Sequence, residues 1–254
     1  MFKRIVFVLF VLLLRVIVLA DVKIVQDVLI EEINLKTGIK TIKKFEQIKW
    51  LGKNIVINKN GDFVSFINLD KKNHKSYFVF IDNKNKTFFK TGFPLNFAKL
   101  LPKELLAVRV NRTPIVKLED LKIKEKIGKY NCNTYRMTLN FLMMTVKIKV
   151  WASDLKKIKT LSLIDKKQLN ILNTNSLLNY YYPNLPNFTK KNKIGFYYTL
   201  DKIKGVWIKS ETYLDLLVRK YKTTVKIKNI HNEAIPQNIL NIPKHYKEVT
   251  DLKF

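Results

Sequence analysis

The sequence predicts a mainly β fold of the α+β class, a long antiparallel meander interrupted by two short helical stretches. Three observations predict it. Apolar and polar residues alternate with a period of two through most of residues 22–150 and again over 194–230. Two stretches, 93–108 and 162–182, replace that alternation with apolar residues at near-helical spacing. No break rich in glycine, proline or serine divides the chain, so residues 21–254 read as a single domain.

The first element is a leader. Lys3 and Arg4 precede an uninterrupted apolar run over 5–14, and Val18-Leu19-Ala20 offers the small residues a signal peptidase needs. Residues 1–20 are therefore expected to be a signal peptide, with Asp21 opening the mature chain. The alternative is an uncleaved anchor, but residues 5–20 are short of the roughly 20 apolar residues a span requires and contain Arg15. No cysteine stands near the cut to carry a lipid. No other stretch is apolar enough to span, so the mature protein is expected in the periplasm or secreted, soluble or peripheral.

The formal charge is +28, and losing Lys3, Arg4 and Arg15 with the leader lowers it to +25. Such charge favours anionic surfaces, headgroups or polymers. Yet only six of the 48 basic residues are Arg, and the lysines are spread along the chain with abundant Asn and Ile, as an AT-rich genome would write them. Specific nucleic-acid readout, which relies on Arg forks, is not expected. The single cysteine, Cys132, has no internal disulfide partner and is expected to be a buried apolar side chain.

The strands follow in order. Val22, Ile24, Gln26, Val28 and Ile30 share one face of a first strand, which turns at Lys36-Thr37-Gly38 into a second over 39–51. Asn60-Gly61 marks a hairpin after 54–58. Strands at 63–69, 77–81 and 87–89 complete the first meander. The stretch 93–108 then presents Phe97, Leu101 and Leu105 on a helical face that Pro102 breaks in two. Strand pattern runs from Ile115 to Val150. Leu169 and Leu172 belong to the second helical stretch, which Pro183-Asn184-Leu185-Pro186 ends. Strands over 194–218 and 221–230 follow, and the tail is punctuated by Pro236 and Pro243.

The densest signal is the hairpin over 128–154. Tyr135, Met137, Leu139 and Phe141 alternate onto one face, and Val146, Ile148 and Val150 return on the partner strand against Lys147, Lys149 and Trp151. The connection Leu142-Met143-Met144-Thr145 contains none of the usual turn residues. Such an apolar tip either sits under another element or touches lipid.

The run Ile127-Gly128-Lys129-Tyr130-Asn131-Cys132-Asn133-Thr134-Tyr135, closing with Val150-Trp151, resembles an uncharacterised family of exported bacterial domains. Their pattern is Gly-Tyr-x-Cys-x-x-Tyr followed by a strand ending in Val-Trp; here Lys129 intervenes between the Gly and the Tyr. Ser65-Phe66-Ile67-Asn68-Leu69-Asp70, Tyr77 and Lys86-Thr87-Phe88 are similar to the family's paired strands. Ile242-Pro243-Lys244-His245-Tyr246 is similar to its closing Ile-Pro-x-x-Tyr, with His245 where Gly is more usual. The family is related by fold to the periplasmic lipoprotein carriers of the LolA and LolB type. The resemblance implies a strongly curved, open half-barrel with short helices plugging an apolar concave face.

On that reading Tyr135, Met137, Leu139, Phe141, Val146, Ile148 and Val150 line a hydrophobic cavity, and Phe97, Leu101, Leu105, Leu169 and Leu172 are its helical plugs. Alkyl chains could replace the plugs at about 0.8 kcal/mol per CH₂. The expected ligand is a lipid or lipidated protein, with an anionic membrane surface as a further partner and a monomer as the state. The alternative is an envelope adaptor or structural protein that docks a protein or anionic polymer, its cavity filled by its own helices. No enzyme is expected: His74, His231 and His245 are placed in polar turns without a catalytic or metal-ligand pattern, and no phosphate loop or nucleophile elbow occurs. No cofactor is expected.

Overall fold

In the computed structural model the chain is described over residues 21–52, 54–68, 77–92, 115–141, 144–154, 202–216 and 218–250. Twelve strands form one sheet. They are β1 (Val22–Asn34), β2 (Lys40–Leu51), β3 (Ile55–Asn60), β4 (Phe63–Asn68), β5 (Tyr77–Asp82), β6 (Thr87–Gly92), β7 (Ile115–Ile127), β8 (Tyr130–Phe141), β9 (Met144–Ser153), β10 (Val206–Leu216), β11 (Arg219–Asn232) and β12 (Lys247–Glu248). Their order across the sheet is β12-β6-β5-β4-β3-β2-β1-β11-β10-β9-β8-β7. All neighbours are antiparallel except β12, which lies parallel to β6. The sheet is open, with β12 and β7 at its two ends.

Two meanders, β1–β6 and β7–β11, thus meet along one seam, where β1 pairs with β11 from Val22↔Asn232 to Asn34↔Arg219. The strands expected in the first meander match the observed ones to within a few residues at each end. The turn after β1 is built by Asn34, whose Oδ1 accepts the amides of Lys36 and Thr37, and by Gly38 at φ +70°. The next tight turn is displaced by one residue from the Asn60-Gly61 reading: Asn60 still pairs with Phe63, so Gly61 and Asp62 make the turn, with Gly61 at φ +55°. Two register shifts bend the sheet's interior, one at Val25/Gln26 against β11 and one at Trp207/Lys209 against β9. Just before β10, Gly205 takes φ +102°, and a Cβ there would run into the backbone carbonyl of Ser153.

Among the described residues the only helical element is a single 3-10 turn, Gln237–Leu240. The signal-peptide reading and both helical plugs, with Phe97, Leu101, Leu105, Leu169 and Leu172, lie outside the described residues, as do 194–201 of the strand expected over 194–218.

The tail is not the loose punctuation that its prolines suggest. Asp21 anchors its start, accepting the Glu233 amide at its carbonyl and the Ile235 amide at its carboxylate, both at 3.0 Å. From there Ile235, Ile239, Leu240, Ile242 and Tyr246 pack onto a cluster of Trp50, Ile57, Val64, Phe66, Val79 and Ile81. Beyond them the backbone reaches the sheet's edge, where Lys247 and Val249 donate to the carbonyls of Lys86 and Phe88. This C-terminal strap therefore covers one face of β2–β6 and shields the β6 edge from pairing with another chain.

Candidate functional site

Antiparallel register assigns the side chains to faces, because residues directly opposite one another project to the same side. The chain of pairs Tyr135↔Val150, Val150↔Ser210, Ser210↔Val225, Val225↔Val28 and Val28↔Phe45 defines one face, here termed inner. The strap packs on the other, outer face, since Trp50↔Ile57, Ile57↔Phe66 and Phe66↔Val79 pair on the opposite parity.

The inner face of the second meander is mainly apolar, with buried Ser210, Thr212 and Thr223 set into it. Tyr135, Met137, Leu139, Val146, Ile148 and Val150 are all buried there, and they form one cluster with Ala152, Trp207 and Leu214. Phe141 ends β8, but its side chain lies outside the described residues. On the outer face of the same strands stand Lys147, Lys149, Lys209, Glu211, Lys222 and Lys226, whose partners include Lys209–Glu211 at 2.6 Å and Lys222–Glu31 at 3.7 Å. Toward the β8–β9 turn one side of the ribbon is thus dry and the other carries an ionic ladder, whereas at the far end the outer face is buried as well, with Cys132, Thr134 and Trp151.

Beyond the seam, the inner face carries something that sequence reasoning missed. One row runs across the sheet as Ile24↔Lys49↔Asn58↔Ser65↔Phe80↔Phe89. The adjoining row brings Gln26 opposite Gln47. Gln26, Gln47, Lys49, Asn58 and Ser65 therefore form a polar island on the inner face. Val22, Leu51 and Val56 bound it on one side, and Phe80 and Phe89 lie beyond it.

Gln26 is 4% exposed. Its Oε1 and the Oδ1 of Asn58 are buried and accept no hydrogen bond from the described residues. A buried unpaired acceptor costs about 1–3 kcal/mol, so a bound donor at either atom would recover that energy. Lys49, half-buried between Ile24 and Asn58, has its ammonium pushed down by burial to about 8. The island can hold a polar group that offers a hydroxyl or amide to the two carbonyls and a negative charge to Lys49. No sequence period marks it as a unit, because its members come from four strands, and only Gln26 stands in an apolar row that the sequence shows.

Other candidate groups have structural roles. Cys132 is buried, and burial pushes its thiol up to about 11, so it is a poor nucleophile. His231 corrects its placement in a polar turn: it sits within β11, half-buried, with Nε2 at 3.0 Å from Glu233 Oε2. Glu233 also takes Lys23 Nζ at 2.8 Å, and the lysine, then the histidine, hold its carboxyl below the usual range. The trio fastens β1 to the root of the strap. Among the described residues no group of three or more His, Cys, Asp and Glu is placed to hold a metal ion, and no helix is long and apolar enough to cross a membrane. A separate open cavity of about 510 Å³ lies on the outer face between the strap and β4–β6, lined by Phe66, Tyr77, Lys90, Leu240, Ile242 and Lys244 among others.

No family model and no curated protein sequence matches this chain. Among solved structures, it is similar to PNGF-II at 13% identity and a TM-score of 0.36, over 90% of this chain and 32% of that one. The chain thus spans about a third of that protein. It is also similar to an outer membrane lipoprotein-sorting protein domain from Vibrio parahaemolyticus at 7% identity and a TM-score of 0.29, over 86% of this chain and 88% of that one. A DUF1329 family protein from Desulfovibrio piger gives 9% identity and a TM-score of 0.30 over the same shares.

Proposed function

We propose that this protein is an exported, non-catalytic binder of an amphipathic molecule, a lipid or a lipidated protein, held against the inner face of the sheet and acting in the maintenance of the cell envelope. In this reading the leader over 1–20 sends the chain to the periplasm, where it works as a monomer, and the sheet curves about its inner face. Alkyl chains lie along Tyr135, Met137, Leu139, Val146, Ile148 and Val150, and the polar head faces Gln26, Lys49 and Asn58. The observation that carries the proposal is that pairing of a buried apolar cluster with a small set of buried, unsatisfied polar atoms on the same face of the sheet. Ligand sites for amphipathic molecules have this composition, mostly apolar lining with a few fixed polar groups that set orientation.

Native mass spectrometry of the protein purified from its envelope fraction tests it. A co-purifying lipid, exchangeable for a fluorescent fatty acid, is the expected result. A clean apo mass together with no fatty-acid uptake would refute it.

A second reading, an envelope adaptor, is favoured by the outer-face cavity beneath the strap. There Lys90 and Lys244 stand beside Phe66 and Tyr77, a mixed lining suited to an acidic peptide with an apolar anchor. Charge reversal at Lys90 and Lys244 would abolish partner capture on this reading and leave fatty-acid uptake unchanged.

A further inference from the structure

Apolar surface is not left exposed at random on this molecule. Of the eight large apolar side chains exposed among the described residues, five (Ile33, Leu35, Ile39, Ile42 and Val218) gather at one end of the sheet, so that end is a patch rather than scatter. Ile39 is 63% exposed and Ile42 57%, the two highest values of the set. Register explains the gathering. Asn34 pairs with Arg219 across the seam, and the Leu35 amide donates to the Val218 carbonyl at 2.9 Å, so the β1–β2 and β10–β11 hairpins end side by side. β8 and β9 pair out to Phe141↔Met144 at this same end, since Thr145 lies opposite Asp215 next to the β10–β11 turn.

The tip is held in shape rather than frayed. Asn34 Oδ1 binds two turn amides, the Gly38 amide donates to the Asn34 carbonyl at 2.8 Å, and the Asn34 amide donates to Ile39 at 3.0 Å. A formed turn that presents Leu35 and Ile39 outward loses little order when those side chains enter another phase.

Its charge is one-sided. Glu31 and Glu32 are taken up by Lys40, Lys222 and Arg219, and Asp215 by Lys220. Lys36, Lys43 and Lys44 have no carboxylate partner among the described residues. Apolar side chains projecting from a cationic collar match the boundary of an anionic bilayer, where the apolar groups enter the acyl region and the lysines stay among the headgroups. We propose that this hairpin end docks on anionic membrane lipid, with Leu35 and Ile39 inserted and Lys36, Lys43 and Lys44 against the phosphates.

The test is flotation of the chain from Asp21 with vesicles of phosphatidylcholine, with and without phosphatidylglycerol. Wild type is expected to float with the mixed vesicles and retain part of that binding in high salt, where purely electrostatic attachment is lost. Leu35→Ser/Ile39→Ser should weaken binding about tenfold or more and remove the salt-resistant part, and Lys43→Glu/Lys44→Glu should weaken it by a similar factor. Ile123→Ser, an equally exposed apolar site on the edge strand β7, should change nothing. Circular dichroism melts establish that each variant folds.

Three outcomes overturn the proposal. They are no flotation by wild type, flotation that Leu35→Ser/Ile39→Ser leaves intact, or a wild-type dimer in sedimentation that the same variant dissociates. Fatty-acid uptake in solution should be unaffected by the tip variants, so failure here is separable from failure of the ligand-binding reading.

Discussion

Replacing Lys49 by methionine should change the protein's stability by an amount that depends on pH. Lys49 stands on the inner face in line with Ile24 and Asn58, and burial brings its ammonium from 10.5 to about 8. Below pH 8 the side chain is charged in both folded and unfolded chains, so the folded state carries the whole cost of partly dehydrating it. Between 8 and 10.5 the folded protein releases the proton while the unfolded chain keeps it, and stability rises with pH. At 1.36 kcal/mol per pH unit, the ceiling on that cost is about 3 kcal/mol near pH 7 and about 1.4 kcal/mol near pH 9.5. Solvent contact at this half-buried position lowers both figures but preserves their ratio. Methionine fills similar space without a charge, so the stability difference between Lys49→Met and wild type should shift in favour of wild type by up to about 2 kcal/mol between pH 7 and pH 9.5. Urea unfolding of both proteins at the two pH values measures the gap. A gap independent of pH would show that Lys49 is not desolvated and that the polar island is misassigned.

The same substitution should weaken a long-chain fatty carboxylate about tenfold while leaving the corresponding alcohol within about twofold, read by displacement of a fluorescent probe. Met137→Ala, at a side chain with no exposed surface, should cost about 2–5 kcal/mol in urea unfolding; a change below about 1 kcal/mol would contradict the packing described for β7–β10. Gly205→Ala should cost more than about 2 kcal/mol, because neither the positive φ nor the Ser153 carbonyl tolerates a Cβ. Cys132 should resist a thiol reagent near pH 8 in the native protein and react fully in urea, and a fast native reaction would refute its burial.

The strands were legible wherever one face is dry and the other wet. Along β8, Tyr135, Met137 and Leu139 alternate with Arg136, Thr138 and Asn140, and the period alone places them. In β2 the signal fails, since Phe45 and Leu51 stand on one face and Ile42, Ile48 and Trp50 on the other. Both faces there have apolar work, the outer one beneath the strap. No period in β2 therefore sets Lys49 apart, and the polar island is visible only where register aligns β1 with β4. The strap was missed because Ile235, Ile239, Leu240, Ile242 and Tyr246 follow neither period: they answer to the surface they cover rather than to a regular backbone of their own.

The seam between β1 and β11 sets a timetable. Each arm consists of neighbours in sequence and can zip up as it is made, yet the strand pairing that joins the two arms among the described residues links partners separated by roughly two hundred residues. A chain made from its amino end must therefore wait, with the dry stripe of Val22, Ile24 and Val28 uncovered on one border, until residues 219–232 arrive. Pairings this distant are slow to find and vulnerable to intruders meanwhile. The half-finished molecule, more than the finished one, is where a chaperone would have something to hold.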